Sequence, residues 1–240
     1  MLRGIYDVLT NPAIRPEWRW RTLYKLRNWI MPDYRLQWPQ LSWWRNAEFN
    51  DYLARFDESH GLNADRRWTI SQLVKLADKI PGDTAECGVL FGSSSYLICR
   101  ALPDRTHHMF DSFEGLPESS PEDSNNWESG VFACSMDIAV RNLKEFPNTS
   151  YHPGWIPDRF GDVADKKFAF VHIDVQLYQP TWDSLHFFYP RTNPGGVIVF
   201  DDYGFANCPG ARLAVDQFLQ GKPEKIIELS TGSAFVIKSG

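Results

Sequence analysis

The chain has only four cysteines, Cys87, Cys99, Cys134 and Cys208, and no two of them share a CxxC or zinc-ligand spacing. That argues against a disulfide framework and against a cysteine-built metal site. It suits reduced, mostly buried thiols in a cytoplasmic protein. No run approaches the ~18 apolar residues that a membrane-spanning helix needs. Basic residues near the N-terminus have no continuous apolar stretch behind them, so no signal peptide is expected. Positive charge is not in excess: 25 Lys and Arg against 30 Asp and Glu give a net charge of −5, which speaks against a general nucleic-acid binder. An internal repeat, a long disordered linker and the dinucleotide fingerprint GxGxxG are all missing.

What is present is ordinary in bulk and unusual in places. At 240 residues, 43% hydrophobic and 23% charged, the chain can build one large α/β domain plus an extension. Ten tryptophans and sixteen phenylalanines are many. Several tryptophans fall in the first 45 residues, within an aromatic and basic segment. There Trp18, Leu23, Tyr24, Leu26, Trp29 and Ile30 share a helical stripe. Such a stripe suits a helix packed on its own domain or on a second subunit better than a membrane-surface helix or a lid. Pro32, Pro39 and the pair Trp43-Trp44 break it, and a second helix is expected from Ala47 to Ser59. The organisation expected is a helical extension over 1–62 and a catalytic domain over 63–240.

Two short apolar runs end abruptly in aspartate: Phe168-Ala-Phe-Val-His-Ile-Asp174 and Val197-Ile-Val-Phe-Asp201-Asp202. Both have the composition of strands buried on two faces. In a parallel sheet the ligand crevice lies beyond the carboxyl ends of the strands. Asp174, Asp201 and Asp202 are thereby crowded together, which is unfavourable unless a cation or a proton intervenes. A divalent metal with oxygen ligands is the simplest remedy.

Other elements follow in order. A helix is expected from Arg67 to Ile80, capped by Asn63 or Asp65 and stopped by Pro81-Gly82. Thr84 to Leu102 has the pattern strand, glycine-rich turn, helix, with Glu86, Gly88 and Gly92 spaced E-x-G-x-x-x-G. That pattern alone is weak, because structural turns with two glycines are common. His107 to Asp111 is a second strand ending in a carboxylate about twenty residues after the turn, where doubly wound folds hold a ribose. A polar loop follows to Gly130, then a helix over Met136–Phe146 and a strand over Thr149–Pro153. Helices are expected at Tyr178–Phe188 and Cys208–Gln220, and a terminal antiparallel hairpin at 225–229 and 233–238. The alternation fits a mostly parallel sheet with a reversed edge.

Ala85-Glu-Cys-Gly-Val, Phe110-Asp-Ser-Phe-Glu-Gly-Leu-Pro117, Ile173-Asp174 with Tyr178, Thr181 and Asp183, and Gly195-Gly196 through Asp201-Asp-Tyr203 together resemble the macrocin O-methyltransferase (TylF-like) family over residues 64–219. The resemblance implies a class I, Rossmann-like methyltransferase fold with a seven-stranded sheet. It implies a sugar O-methyltransferase using S-adenosylmethionine and a divalent metal, usually Mg²⁺. On this basis Glu86, Gly88 and Gly92 line the methionine part of the cofactor, Asp111 takes the ribose with Ser112 beside it, and Asp174, Asp201 and Asp202 hold the metal. Asp174 is the candidate base, with His152 and His172 as lesser candidates. The family often has Asp-Gly-Asp where this chain has Asp174-Val-Gln176, so the second carboxylate is gone. The acceptor implied is a small molecule or glycan with neighbouring hydroxyls. The alternatives to this reading are a catechol-type O-methyltransferase and a metal-dependent hydrolase; a homodimer through the aromatic extension is a further expectation.

Overall fold

The computed structural model describes residues 16–32, 42–57, 63–124 and 127–240. The side chain of Trp18, Pro39 and the last positions expected of the second helix, Glu58 and Ser59, lie outside the described residues. The chain divides into two compact units, 1–51 and 52–240. In the first, helix α1 runs Pro16–Ile30. Trp20 stacks on Tyr24 at 4.9 Å between ring centroids, while Leu23, Tyr24, Trp29 and Ile30 are exposed. Helix α2, Ala47–Arg55, begins in the first unit and ends in the second. Among the described residues no helix is long and apolar enough to cross a membrane.

The second unit is a seven-stranded sheet in the order β3-β2-β1-β4-β5-β7-β6. Its strands are β1 Asp83–Cys87, β2 His107–Asp111, β3 Thr149–Pro153, β4 Phe168–Ile173, β5 Thr192–Phe200, β6 Ile227–Glu228 and β7 Ala234–Ile237. The first five pair in parallel, and β7 joins β5 and β6 antiparallel. This is the class I methyltransferase sheet, with the reversed edge that the terminal apolar runs anticipate.

Two-sided burial explains the unalternated strands. Along β5, Ile198 and Phe200 enter one core with Phe110, Phe168, Phe188 and Val215. Val197 and Val199 enter the other with Ile70, Leu73, Ile98 and Phe170. Each fully buried side chain of this size contributes roughly 1.5–3 kcal/mol, so both faces must be apolar. Helices α3 Ala64–Leu73, α4 Ser93–Ala101, α6 Tyr178–Phe188 and α7 Pro209–Leu219 supply these layers, and α5 Met136–Asn142 places Ala139 in a smaller cluster with Val89, Met109 and Leu143. Ser135 caps α5, its hydroxyl accepting from Asp137 N at 3.2 Å, and Pro209 opens α7 at a position where no N–H is needed. The single helix expected to reach Ile80 instead tightens into a 3₁₀ turn at Val74–Ala77; beyond it the Ile80 and Gly82 carbonyls accept from Arg105.

Register aligns the strand ends. Cys87 pairs with Phe110 and with Ile173, and Ile173 pairs with Phe200. The next residues, Asp111, Gly88, Asp174 and Asp201, therefore stand side by side along the carboxyl edge. The chain's order reverses between β1 and β4, which is where such sheets open a crevice.

Candidate active site

A cavity of about 440 Å³ opens over that edge, within the range of small-molecule sites. Gly88, Asp111, Ser112 and Asp174 line it; Glu86, Gly92, Asp201 and Asp202 do not. Its walls include the Val89-Leu90 turn and the first serines of α4, Ser93 and Ser94, together with part of the 112–134 loop.

Gly88 has φ +84 and lies against β4. Asp111 holds the turn that follows: one carboxylate oxygen accepts from Val89 N at 2.7 Å and Leu90 N at 2.9 Å, the other from Phe113 N at 2.7 Å. The carboxylate is thus fixed in place at the cavity wall, with lone pairs to spare for a ligand hydroxyl. Gly92 sits at the start of α4 with φ +80 and packs on Leu143.

Glu86 is buried behind the turn. It accepts from Ser95 Oγ and from His172 Nδ1 at 2.8 Å, and lies 3.6 Å from His107 Nε2. Burial opposes its charge, but the histidine contacts outweigh that and bring its carboxyl down to about 2. Burial also opposes protonation of His172, yet Asp201 and Glu86 outweigh it and push the imidazole up to about 10. Glu86 therefore ties β1, α4 and β4 together from beneath the cavity. His172 is fully buried, and His152 is buried and bonded to His108 and Asp162 at 3.1 and 3.0 Å. Neither reaches the cavity wall.

The three aspartates do converge. His172, Asp174 and Asp201 offer ligand atoms all within 4.8 Å of one another. Asp202 adjoins them, its Oδ2 accepting from Gln176 N at 3.0 Å, while Gln176 Nε2 donates to Asp174 Oδ1 at 2.8 Å. Asp201 also accepts from Ser233 Oγ at 2.8 Å. Burial and the charges of Asp201 and Asp202 push Asp174 well above the ordinary carboxyl range; burial and Asp201 raise Asp202. Burial acts the same way on Asp201, but Arg66 and His172 hold it well below that range. Hard oxygen donors of this number and proximity, with two of them driven toward protonation by burial and by mutual repulsion, fit a divalent cation.

Sequence reasoning passed over Arg66, the cation of this corner, and the cavity residues Phe132 and Trp155. The 112–134 loop is tied down at its far side. Asp123 Oδ1 accepts from Tyr178 N at 2.7 Å, and Trp127 Nε1 donates to Asn207 O at 2.7 Å.

Comparison with known proteins bears on the family and the fold. The family model described as macrocin-O-methyltransferase (TylF) matches residues 67–230. Demethyldecarbamoylnovobiocin O-methyltransferase of Streptomyces niveus is 30% identical over 175 residues, 65% of this chain and 66% of that protein. The 8-demethyl-8-(2,3-dimethoxy-alpha-L-rhamnosyl)-tetracenomycin-C 4'-O-methyltransferase of Streptomyces olivaceus is 31% identical over 152 residues, 57% of this chain and 58% of that one. The match thus spans 66% and 58% of the length of these two curated relatives. The solved structure of the O-methyltransferase NovP is 27% identical and superimposes with a TM-score of 0.62, covering 74% of this chain and 81% of that one.

Proposed function

The chain belongs to the macrocin O-methyltransferase family, and from that membership we propose that it is an S-adenosylmethionine- and divalent-cation-dependent O-methyltransferase acting on a sugar hydroxyl of a glycosylated small molecule. One observation carries the reading: Gly88, Asp111 and Asp174, from three adjacent strands, border a single cavity. The names of the relatives support the reaction, and one of them specifies a rhamnosyl-bearing acceptor.

In this reading the cofactor supplies an electrophilic sulfonium methyl, bound along the Gly88 turn with its ribose at Asp111 and Ser112. A divalent cation held by Asp174, Asp201 and Asp202 supplies charge that makes a hydroxyl more acidic. The chain's own residues do the remainder. Asp174, the one member of that trio on the cavity wall, accepts the acceptor's proton. Gln176 carries no charge at neutral pH; its amide holds the Asp174 carboxylate in one orientation through the 2.8 Å bond. The anchored 112–134 loop excludes water and aligns the oxygen with the methyl, so that positioning contributes a large share of the acceleration.

Phe132 and Trp155 on the cavity wall favour a second acceptor class, a catechol-like ring stacking where a sugar face otherwise lies. A hydrolase using the aspartates directly leaves the Gly88 turn and Asp111 without a role. The test combines titration calorimetry with S-adenosylmethionine and a transfer assay against glycosides and catechols. Asp201→Asn is expected to bind cofactor normally and to lose transfer, and EDTA dialysis to stop transfer until Mg²⁺ is returned. Full turnover by Asp201→Asn, or after exhaustive chelation, would overturn the metal role.

A further inference from the structure

The aspartate corner already holds a cation. A single guanidinium nitrogen, Arg66 Nη2, donates to Asp201 Oδ2 and lies 3.5 Å from Asp202 Oδ1 and 4.0 Å from Asp174 Oδ1. It also reaches the Asp201 carbonyl at 3.4 Å. Arg66 stands in the first turn of α3, its guanidinium over the Phe205 ring at 4.6 Å. No other nitrogen is described in contact with all three carboxylates.

A divalent ion bound by the same oxygens would need them at roughly 2.0–2.6 Å. The space it would fill lies against the guanidinium, and two cations a few ångströms apart in a partly buried site repel strongly. The two occupants exclude each other. The guanidinium is also incompletely held: its Nε is buried without a hydrogen-bond partner. Rotation about its long side chain could release it without moving the backbone of α3, and the side chain already borders the cavity.

We propose that Arg66 is the resident cation of the Asp174, Asp201 and Asp202 cluster and an internal competitor of the divalent ion, which enters as the guanidinium leaves. The proposal rests on the metal reading above. It assigns Arg66 a positioning role: it holds the three carboxyl groups together, and it sets how much free metal is needed to load the site. Neutralising it removes the competitor while leaving the three oxygen ligands intact.

The test is Mn²⁺ binding to the full chain, followed by electron paramagnetic resonance and calorimetry, for wild type, Arg66→Lys and Arg66→Gln. Arg66→Gln is expected to bind Mn²⁺ at least about tenfold more tightly, and Arg66→Lys to stay near wild type. Without metal, Arg66→Gln melts at a lower temperature than wild type, and Mn²⁺ recovers more of its stability. Equal or weaker Mn²⁺ binding by Arg66→Gln overturns the proposal. Should that variant not fold without metal, the wild type decides: the Nε–H resonance of Arg66 should shift on Mg²⁺ saturation, and an unchanged resonance overturns the proposal. Failure of the functional reading would appear separately, as absence of S-adenosylmethionine binding. Failure of this inference alone would leave cofactor binding and metal-dependent transfer intact, with Mn²⁺ affinity indifferent to residue 66.

Discussion

Gly88 and Asp174 meet through their backbones: a Cβ on Gly88 would lie 1.9 Å from the Asp174 carbonyl oxygen. The contact joins the end of β1 to the end of β4 at the floor of the cavity. The left-handed φ of +84 at Gly88 adds a second reason for glycine there. Gly88→Ala should therefore cost roughly 2–4 kcal/mol, from overpacking against backbone and from the strained φ. Urea unfolding would measure it. A stability within 0.5 kcal/mol of wild type, the usual range for neutral surface changes, would mean that the strands part more easily than the packing implies.

Asp111 acts on the turn before any ligand arrives. Its carboxylate satisfies three backbone N–H groups, those of Val89, Leu90 and Phe113, and hydrogen bonds to a charged acceptor contribute about 1.5–3 kcal/mol each. Asp111→Ala frees all three and also removes the proposed ribose acceptor. Cofactor affinity should fall more than about tenfold, with Asp111→Asn intermediate because it keeps one acceptor oxygen. An unchanged Kd in calorimetry of the alanine variant would remove Asp111 from the cofactor site.

Glu86 and His172 make opposite demands on pH. The Glu86 carboxyl, ordinarily near 4.5, is lowered to about 2, so its contribution is complete above 4.5 and is lost as pH falls toward 2. The His172 imidazole, ordinarily near 6.5, is raised to about 10, so its contribution is complete below 6.5 and is lost as pH rises toward 10. The pair thus favours a stability plateau between about 4.5 and 6.5. Glu86→Gln should flatten the acid limb and bring the alkaline loss to lower pH, since His172 loses an anionic partner. Urea midpoints across pH 3–10 would show it. Unaltered limbs in the variant would contradict the assignment.

Much of this frame was legible in the residues. Phe168–Ile173 and the Val197–Phe200 end of β5 stand out because burial on both faces forces continuous apolar runs, and the aspartates that follow them mark the crevice. The resemblance, not the spacing, puts Glu86 at the methionine part of the cofactor; in the fold its side chain is buried and bonded to His172. Spacing locates a residue along a strand, whereas pleat parity and neighbouring strands decide what it faces. Arg66 carried no signal. A single arginine in the first turn of a mixed helix looks like a solvated residue until the fold brings β5, 135 residues later, beneath it.

Gln176 stands where the resembling family often has a second aspartate, and its neighbours define what restoring that carboxylate would do. The residue has φ +59, a conformation that aspartate adopts more readily than most side chains, so Gln176→Asp should be accommodated by the backbone. It would lose the donor that bonds Asp174 Oδ1 at 2.8 Å, because an ionised carboxylate only accepts. It would also add a fourth negative charge beside Asp174 and Asp202. Without a divalent ion that charge is repelled; with one it is attracted. Metal-free Gln176→Asp should then lose about 1–2 kcal/mol, a fall of roughly 2–8 °C in Tm for a domain of this size. Saturating Mg²⁺ should raise its Tm by more than it raises that of wild type. Scanning calorimetry in EDTA and in Mg²⁺ measures both. Equal Mg²⁺ responses in the two proteins would show that position 176 does not sense the ion, and would place the metal away from the Asp174 side of the cluster.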